Sequence, residues 1–166
     1  MNTPDMEFIK QLMNGIQQEL QLFQQLEQAL TAERAALEQR ANEALSELLK
    51  QKESILSQIE AQVRFRLQLM IKNDYLADEQ VLVAIFDHLQ PKQNKLALQL
   101  WNNVKSAIEV CHKKNEINAR ITYRSQIDNT KMIDILRGGS NKTDLYNPAG
   151  QQNTKHAQQT RPAATV

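Results

Sequence analysis

Glycine and proline are scarce, four of each in 166 residues, and aromatic residues make up only 5%. Sheets and loop-rich folds need turn residues and favour aromatic and β-branched side chains, so this composition argues against both. There is one cysteine, Cys111. A lone thiol cannot staple a fold, and a reducing compartment is the simpler setting. No apolar run approaches the ~18 residues of a membrane-spanning helix. Met1 to Gln11 shows no basic stretch followed by an apolar run, as a signal peptide would. The expectation is a cytosolic chain without membrane insertion. Excess charge is also missing: 20 Lys plus Arg face 19 Asp plus Glu. That excludes a nucleic-acid binder of the usual electrostatic kind, which needs many unneutralised cations.

What the chain does have is helical periodicity. Thr3 can cap a helix, Pro4 suits its first position, and Asp5 and Glu7 complement its positive end. Ile9, Leu12, Ile16, Leu20, Phe23, Leu30 and Leu37 then recur at three- and four-residue steps, with Glu27 and Arg34 placing charge at stripe positions. An unbroken helix to Lys72 would form a rod of about 100 Å. The rhythm slips after Leu37, so a tight turn is expected at 39–42, with Asn42 as a cap. A second stripe runs through Leu45, Leu48, Ile55, Ile59, Val63, Leu67 and Met70, with Lys52 snorkelling from it. A break follows at 73–78, and Asp78 caps a short helix carrying Leu82, Ile85, Phe86 and Leu89.

The last helix runs from about Pro91 to Arg137, stopped by Gly138 and Gly139. Its stripe is Leu100, Val104, Ile108, Cys111, Asn115, Asn118, Thr122, Ser125, Asn129, Met132 and Leu136. The expected architecture is all-α, an antiparallel bundle of long helices: a coiled-coil-like hairpin plus a long last helix. The helices are placed at 5–38, 43–72, 79–90 and 92–138, around Leu20, Phe23, Leu48, Ile55, Leu100, Trp101, Val104 and Ile108. Residues 1–139 form the bundle domain. Residues 140–166 are too polar to bury a core and are expected to be a disordered tail, with one apolar island at Leu145-Tyr146.

Catalytic patterns are missing. Glu109 and His112 form a single Glu-x-x-His, where a di-iron bundle needs two plus two further glutamates. Both point roughly 100–160° away from the apolar stripe. Cys111 and His112 are neighbours on a helix and face different ways. Phosphate loops, zinc spacings and nucleophile elbows do not occur. The chain reads as a binding protein and not an enzyme, with no metal or nucleotide.

Two features suggest binding. The polar seam from Asn115 to Asn129 either fixes helix register as buried Asn does, or takes a partner's amphipathic helix with Ile117, Ile121, Ile133 and Leu136 as anchors. Leu145-Tyr146 either packs back on the bundle or docks elsewhere as a short motif.

Taken together, several residues resemble the FlgN family of flagellar export chaperones. Glu33-Arg34-Ala35-Ala36-Leu37 is similar to its E-R-x-A-L, and Lys52, Leu56 and Ile59 to its K-x-x-L-L-x-x-L. Leu100-Trp101 and Asn115-Glu116-Ile117-Asn118 resemble its L-W and N-x-x-N, and Leu145-Tyr146-Asn147-Pro148-Ala149-Gly150-Gln151 its tail L-Y-G-x-x-G-Q. Ala119 and Asn147 stand where the family often has Gly. The resemblance implies a cytosolic chaperone of the hook-filament junction (hook-associated) proteins. It would cover their C-terminal helical segment, prevent premature assembly and deliver them to the cytoplasmic domain of the type III export gate. Asn115, Ile117, Asn118, Ile121, Met132, Ile133 and Leu136 are the expected client-binding residues, and Leu145, Tyr146 and Gly150 the docking residues. A structural coiled-coil scaffold or tether is the alternative.

Overall fold

The computed structural model describes residues 4–136. Four helices occupy them: α1 (Met6–Gln39), α2 (Asn42–Lys72), α3 (Glu79–Asp87) and α4 (Pro91–Leu136). Thr3, the stop at Gly138-Gly139, the boundary at 139/140 and the docking residues Leu145, Tyr146 and Gly150 lie outside the described residues. The chain divides into two compact units at Gln126 and Ile127. The bundle described here is the first. Of the second, Ile127–Leu136 is helix, with Met132, Ile133, Ile135 and Leu136 exposed.

Local chemistry sets the helix ends. Asp5 caps α1, accepting from the Glu7 amide, so Pro4 precedes the cap instead of opening the helix. Asp78 caps α3 as expected, accepting from the Gln80 amide at 2.7 Å. The α1–α2 turn falls where the rhythm slips, but Ala41 holds the cap position and Asn42 opens α2 without capping it. That turn has no glycine. Arg40 takes the left-handed conformation, φ 55, while its amide and that of Ala41 close onto Leu37 and Ala36 carbonyls. Helix α3 ends at Asp87, three residues before the expected 90. Asn94 explains the early stop: its amide nitrogen donates to the Phe86 carbonyl at 3.1 Å, satisfying a terminal acceptor.

Cross-helix bonds fix the topology. Glu19 meets Arg66 and Glu33 meets Lys52, so α1 and α2 are antiparallel. Phe23 meets Cys111 and Leu30 meets Asn118, so α4 runs parallel to α1 and antiparallel to α2. The larger apolar cluster gathers the start of α1, the end of α2, α3 and the start of α4: Leu12, Ile16, Met70, Leu82, Ile85, Phe86, Ala97 and Val104 are its most enclosed members. A smaller cluster of Leu26, Leu30, Ile59 and Cys111 continues the core along the bundle.

Of the expected core, Leu20, Trp101 and Val104 are buried, while Phe23, Leu48, Ile55 and Leu100 are half-buried. Ile108 is 40% exposed, against expectation. The buried column of α4 is Ala97, Val104, Cys111 and Asn118, seven apart. Its companion column lies three residues on, at Ala107, Lys114 and Ile121, all half-buried, and not four residues on at Ile108 and Asn115. A small Ala lets the α4 backbone approach its neighbours, and the bulkier Ile at the next position is turned outward. The α1 stripe shifts similarly. Beyond Phe23 the seam passes through Leu26, Leu30, Glu33 and Ala36, so Glu27 is only half-buried and Arg34 is exposed.

Candidate functional site

The α1 seam is a regular heptad: Leu12, Ile16, Glu19, Phe23, Leu26, Leu30 and Glu33 alternate steps of four and three. Two members of one column are glutamates. The facing column of α2 is Lys52, Ile59 and Arg66, also seven apart. The result is three layers. Glu33 pairs with Lys52 at 2.5 Å, Leu26 packs in one cluster with Ile59, and Glu19 pairs with Arg66 at 2.7 Å. Helix α4 completes the layers. Asn118 joins the first, donating from Nδ2 to Glu33 Oε2 and to the Leu30 carbonyl, both at 2.9 Å. Cys111 joins the second and donates its thiol proton to the Phe23 carbonyl at 3.3 Å.

In the third layer the Arg66 guanidinium lies 5.0 Å from the centroid of the buried Trp101 ring. The Trp101 indole donates to Glu79 Oε1 at 3.1 Å, and Lys105 reaches the same oxygen at 3.1 Å. This chain of contacts ties all four helices together. Buried charges are costly to leave unpaired, and a slip in register would separate both pairs at once, at about 3–5 kcal/mol for each orphaned charge. The glutamates therefore specify the α1–α2 alignment more than they add raw stability.

Burial pushes the Glu19 carboxyl above its usual range, and the Arg66 hydrogen bond and charge offset only part of that. Glu79 is held below its usual range by hydrogen bonds from Lys105 and Trp101. The Cys111 thiol is pushed up by burial, with Glu27 adding to the effect. A buried, less acidic thiol is a core residue and not a nucleophile. Glu109 and His112 are both exposed.

The expected client residues divide. Asn118 turns inward and sits in the first layer, with its Oδ1 enclosed and without a partner. Ile117 is exposed on the α1 side, beside a cleft of about 180 Å³ lined by Leu30, Thr31, Arg34 and Lys114. Lys114 is anchored there by Glu27 at 2.9 Å and Thr31 at 2.8 Å. Ile121 is half-buried, while Asn115 is exposed. Sequence reading missed Glu19 and Arg66 entirely. The available signal was their heptad spacing from Glu33 and Lys52.

Three stretches singled out in the sequence thus meet in space: Glu33 of α1, Lys52 of α2 and Asn118 of α4 form one layer. Together these contacts make a bundle of long helices held at its centre by a polar and ionic junction. The FlgN protein family matches residues 1–154, and the chain belongs to that family of flagellar export chaperones. No curated protein matches the chain. No solved structure matches it. No helix among the described residues is long and apolar enough to cross a membrane.

Proposed function

We propose that this chain is a cytosolic chaperone of type III flagellar export whose clients are the hook-filament junction proteins. Membership of the FlgN family carries the reading. The bundle carries apolar surface on α4 at exposed Ile117 and half-buried Ile121, and such surface suits a partner's amphipathic helix. Ile117, Ile121 and Asn115 are the client contacts within the bundle. Met132, Ile133 and Leu136 offer a further exposed apolar set. Asn118 acts from within, by holding α4 against α1. Covering the client's C-terminal helical segment would prevent its early self-association.

Delivery follows through the tail, where Leu145, Tyr146 and Gly150 dock on the cytoplasmic domain of the export gate. A tyrosine offers large apolar area and a hydroxyl at low entropy cost, which suits an anchor in a polar segment. The test pairs two readouts. Wild-type protein should retain junction proteins from a co-expressing extract. Tyr146→Ala should retain them equally but lose gate binding and lower their secretion. Failure of the wild type to retain any junction protein refutes the client assignment. Lost client retention with intact gate binding in Tyr146→Ala reverses the two surfaces.

A further inference from the structure

Three of the four positions of a four-helix bundle are filled along the layers, by α1, α2 and α4. The fourth is filled only at one end, by α3. Helix α3 lies antiparallel along the first turns of α4: Asn94 bonds Phe86 and Asp87, while Trp101 and Lys105 reach Glu79. Its apolar residues Leu82, Ile85 and Phe86 are fully buried in one cluster with Leu69, Met70, Ala97 and Trp101. The column of α4 beneath α3 starts at Trp101 and repeats every seven residues at Ile108, Asn115 and Thr122. Trp101 is buried, whereas Ile108, Asn115 and Thr122 are exposed.

Helix α2 shows the matching edge. Gln62 and Phe65 lie against Gly15 of α1, so that side of α2 faces α1. The opposite edge, at 100° per residue, carries the heptad column Leu49, Leu56 and Val63. Leu49 is 45% and Leu56 43% exposed. Arg66 of α2 lies over Trp101 of α4, and Lys52 and Asn118 reach the two oxygens of one Glu33 carboxylate, so α2 and α4 are neighbours along this stretch. The two columns flank one strip, from the level of Val63, itself half-buried, and Val104 down to that of Leu49 and Asn118, about four helical turns or ~21 Å long.

We propose that this strip, continuous with the seat of α3, receives the client's amphipathic helix as the missing fourth helix. The inference rests on the chaperone reading and names the part of the surface that does the holding. The occupant carries Leu, Ile or Val at three- and four-residue steps over about four turns. It also presents an amide or hydroxyl opposite Asn115, because a polar seam residue needs a partner once covered, whereas the Thr122 hydroxyl already donates to the Asn118 carbonyl at 3.0 Å. Residues 137–166 of this chain cannot be that helix. Their large apolar residues are Leu145, Tyr146 and Val166, too few and too clustered for a four-turn stripe.

The experiment uses the full chain and the purified C-terminal segment of a hook-filament junction protein as probe. Affinity is measured by fluorescence anisotropy for wild type, for the pair Leu49→Lys with Leu56→Lys, and for Val110→Lys, which is exposed on the other edge of α4 from Ile108 and Asn115. The paired variant should weaken binding at least tenfold with Val110→Lys near wild type. A photo-crosslinking residue at position 56 should capture the probe, and one at 110 should not. This second readout holds even if the lysines disturb folding. Loss confined to Val110→Lys, or capture only from 110, overturns the inference and leaves the chaperone reading standing. A wild-type chain that does not bind the probe fails the chaperone reading itself. A wild-type dimer that the paired variant converts to monomer makes the strip a self-interface and overturns the inference.

Discussion

Replacing Asn118 by Asp changes one atom's chemistry and almost nothing in shape. In the native layer Asn118 Nδ2 donates to Glu33 Oε2 and to the Leu30 carbonyl, both at 2.9 Å. The substitution turns that double donor into an acceptor facing two acceptors. The lost hydrogen bonds contribute about 1 kcal/mol for the neutral carbonyl and about 2 kcal/mol for the carboxylate. Two carboxylates roughly 4 Å apart repel by about 4 kcal/mol at an effective dielectric near 20. Lys52, on the other Glu33 oxygen, offsets part of this. The expected cost at neutral pH is about 3–5 kcal/mol, the range for breaking a buried ionic arrangement. For a chain of this length that lowers Tm by about 10–15 °C.

The cost should shrink on acidification, because a protonated carboxyl donates again and mutual repulsion raises its pKa. Asn118→Leu is the control. It removes the two donated bonds but also the enclosed, unpartnered Oδ1, so it should cost only about 1–2 kcal/mol without pH dependence. Circular dichroism melts at two pH values read both variants. Asn118→Asp within about 1 kcal/mol of wild type, or no more pH-sensitive than Asn118→Leu, would falsify the layer that joins α1, α2 and α4.

Three smaller changes probe the rest of the bundle. Arg40→Gly should stabilise by about 0.5–1 kcal/mol, since glycine occupies φ 55 without steric cost; a lower denaturation midpoint would mean the arginine side chain matters more than its backbone. Gly15→Ala should gain about 0.5 kcal/mol from helix propensity. The new methyl meets the Gln62 side-chain end at 3.2 Å and the Phe65 ring at an ordinary 3.8 Å, so a clear loss would show that the Gln62 bond to the Gly15 carbonyl outweighs propensity. Glu19 has a folded pKa raised by burial, so its contribution is fully present below the ordinary glutamate pKa and fades as pH rises through the folded value. The stability of wild type relative to Glu19→Gln should therefore improve on moving from pH 7 toward pH 4. The opposite trend would show that attraction to Arg66 prevails over burial.

Helix existence was legible because caps and the three-four rhythm are local. Asp78, the break at 73–78 and the slip before Asn42 all mark true ends. Which column of a helix meets its neighbour is not local. On α4, hydrophobicity favours Ile108 over Ala107, yet close helix approach favours the small residue. On α1, Glu19 and Glu33 read as surface charge until Arg66 and Lys52 are set opposite them. Asn118 was visible as part of a polar seam, but only the Glu33 carboxylate facing it separates a buried junction from an exposed contact. Leu49 and Leu56 drew no notice as a surface, because they stand one residue beside the stripe positions Leu48 and Ile55 and a single helix does not show which apolar edge lacks a partner.

Calorimetric titration of the full chain with the C-terminal helical segment of a hook-filament junction protein, at two temperatures, is the most direct measurement. A chaperone that covers an amphipathic helix buries apolar area, so saturable binding with a negative heat-capacity change is predicted. A folded chain that gives no binding heat at either temperature, and no co-elution with the segment, would contradict a client-holding role.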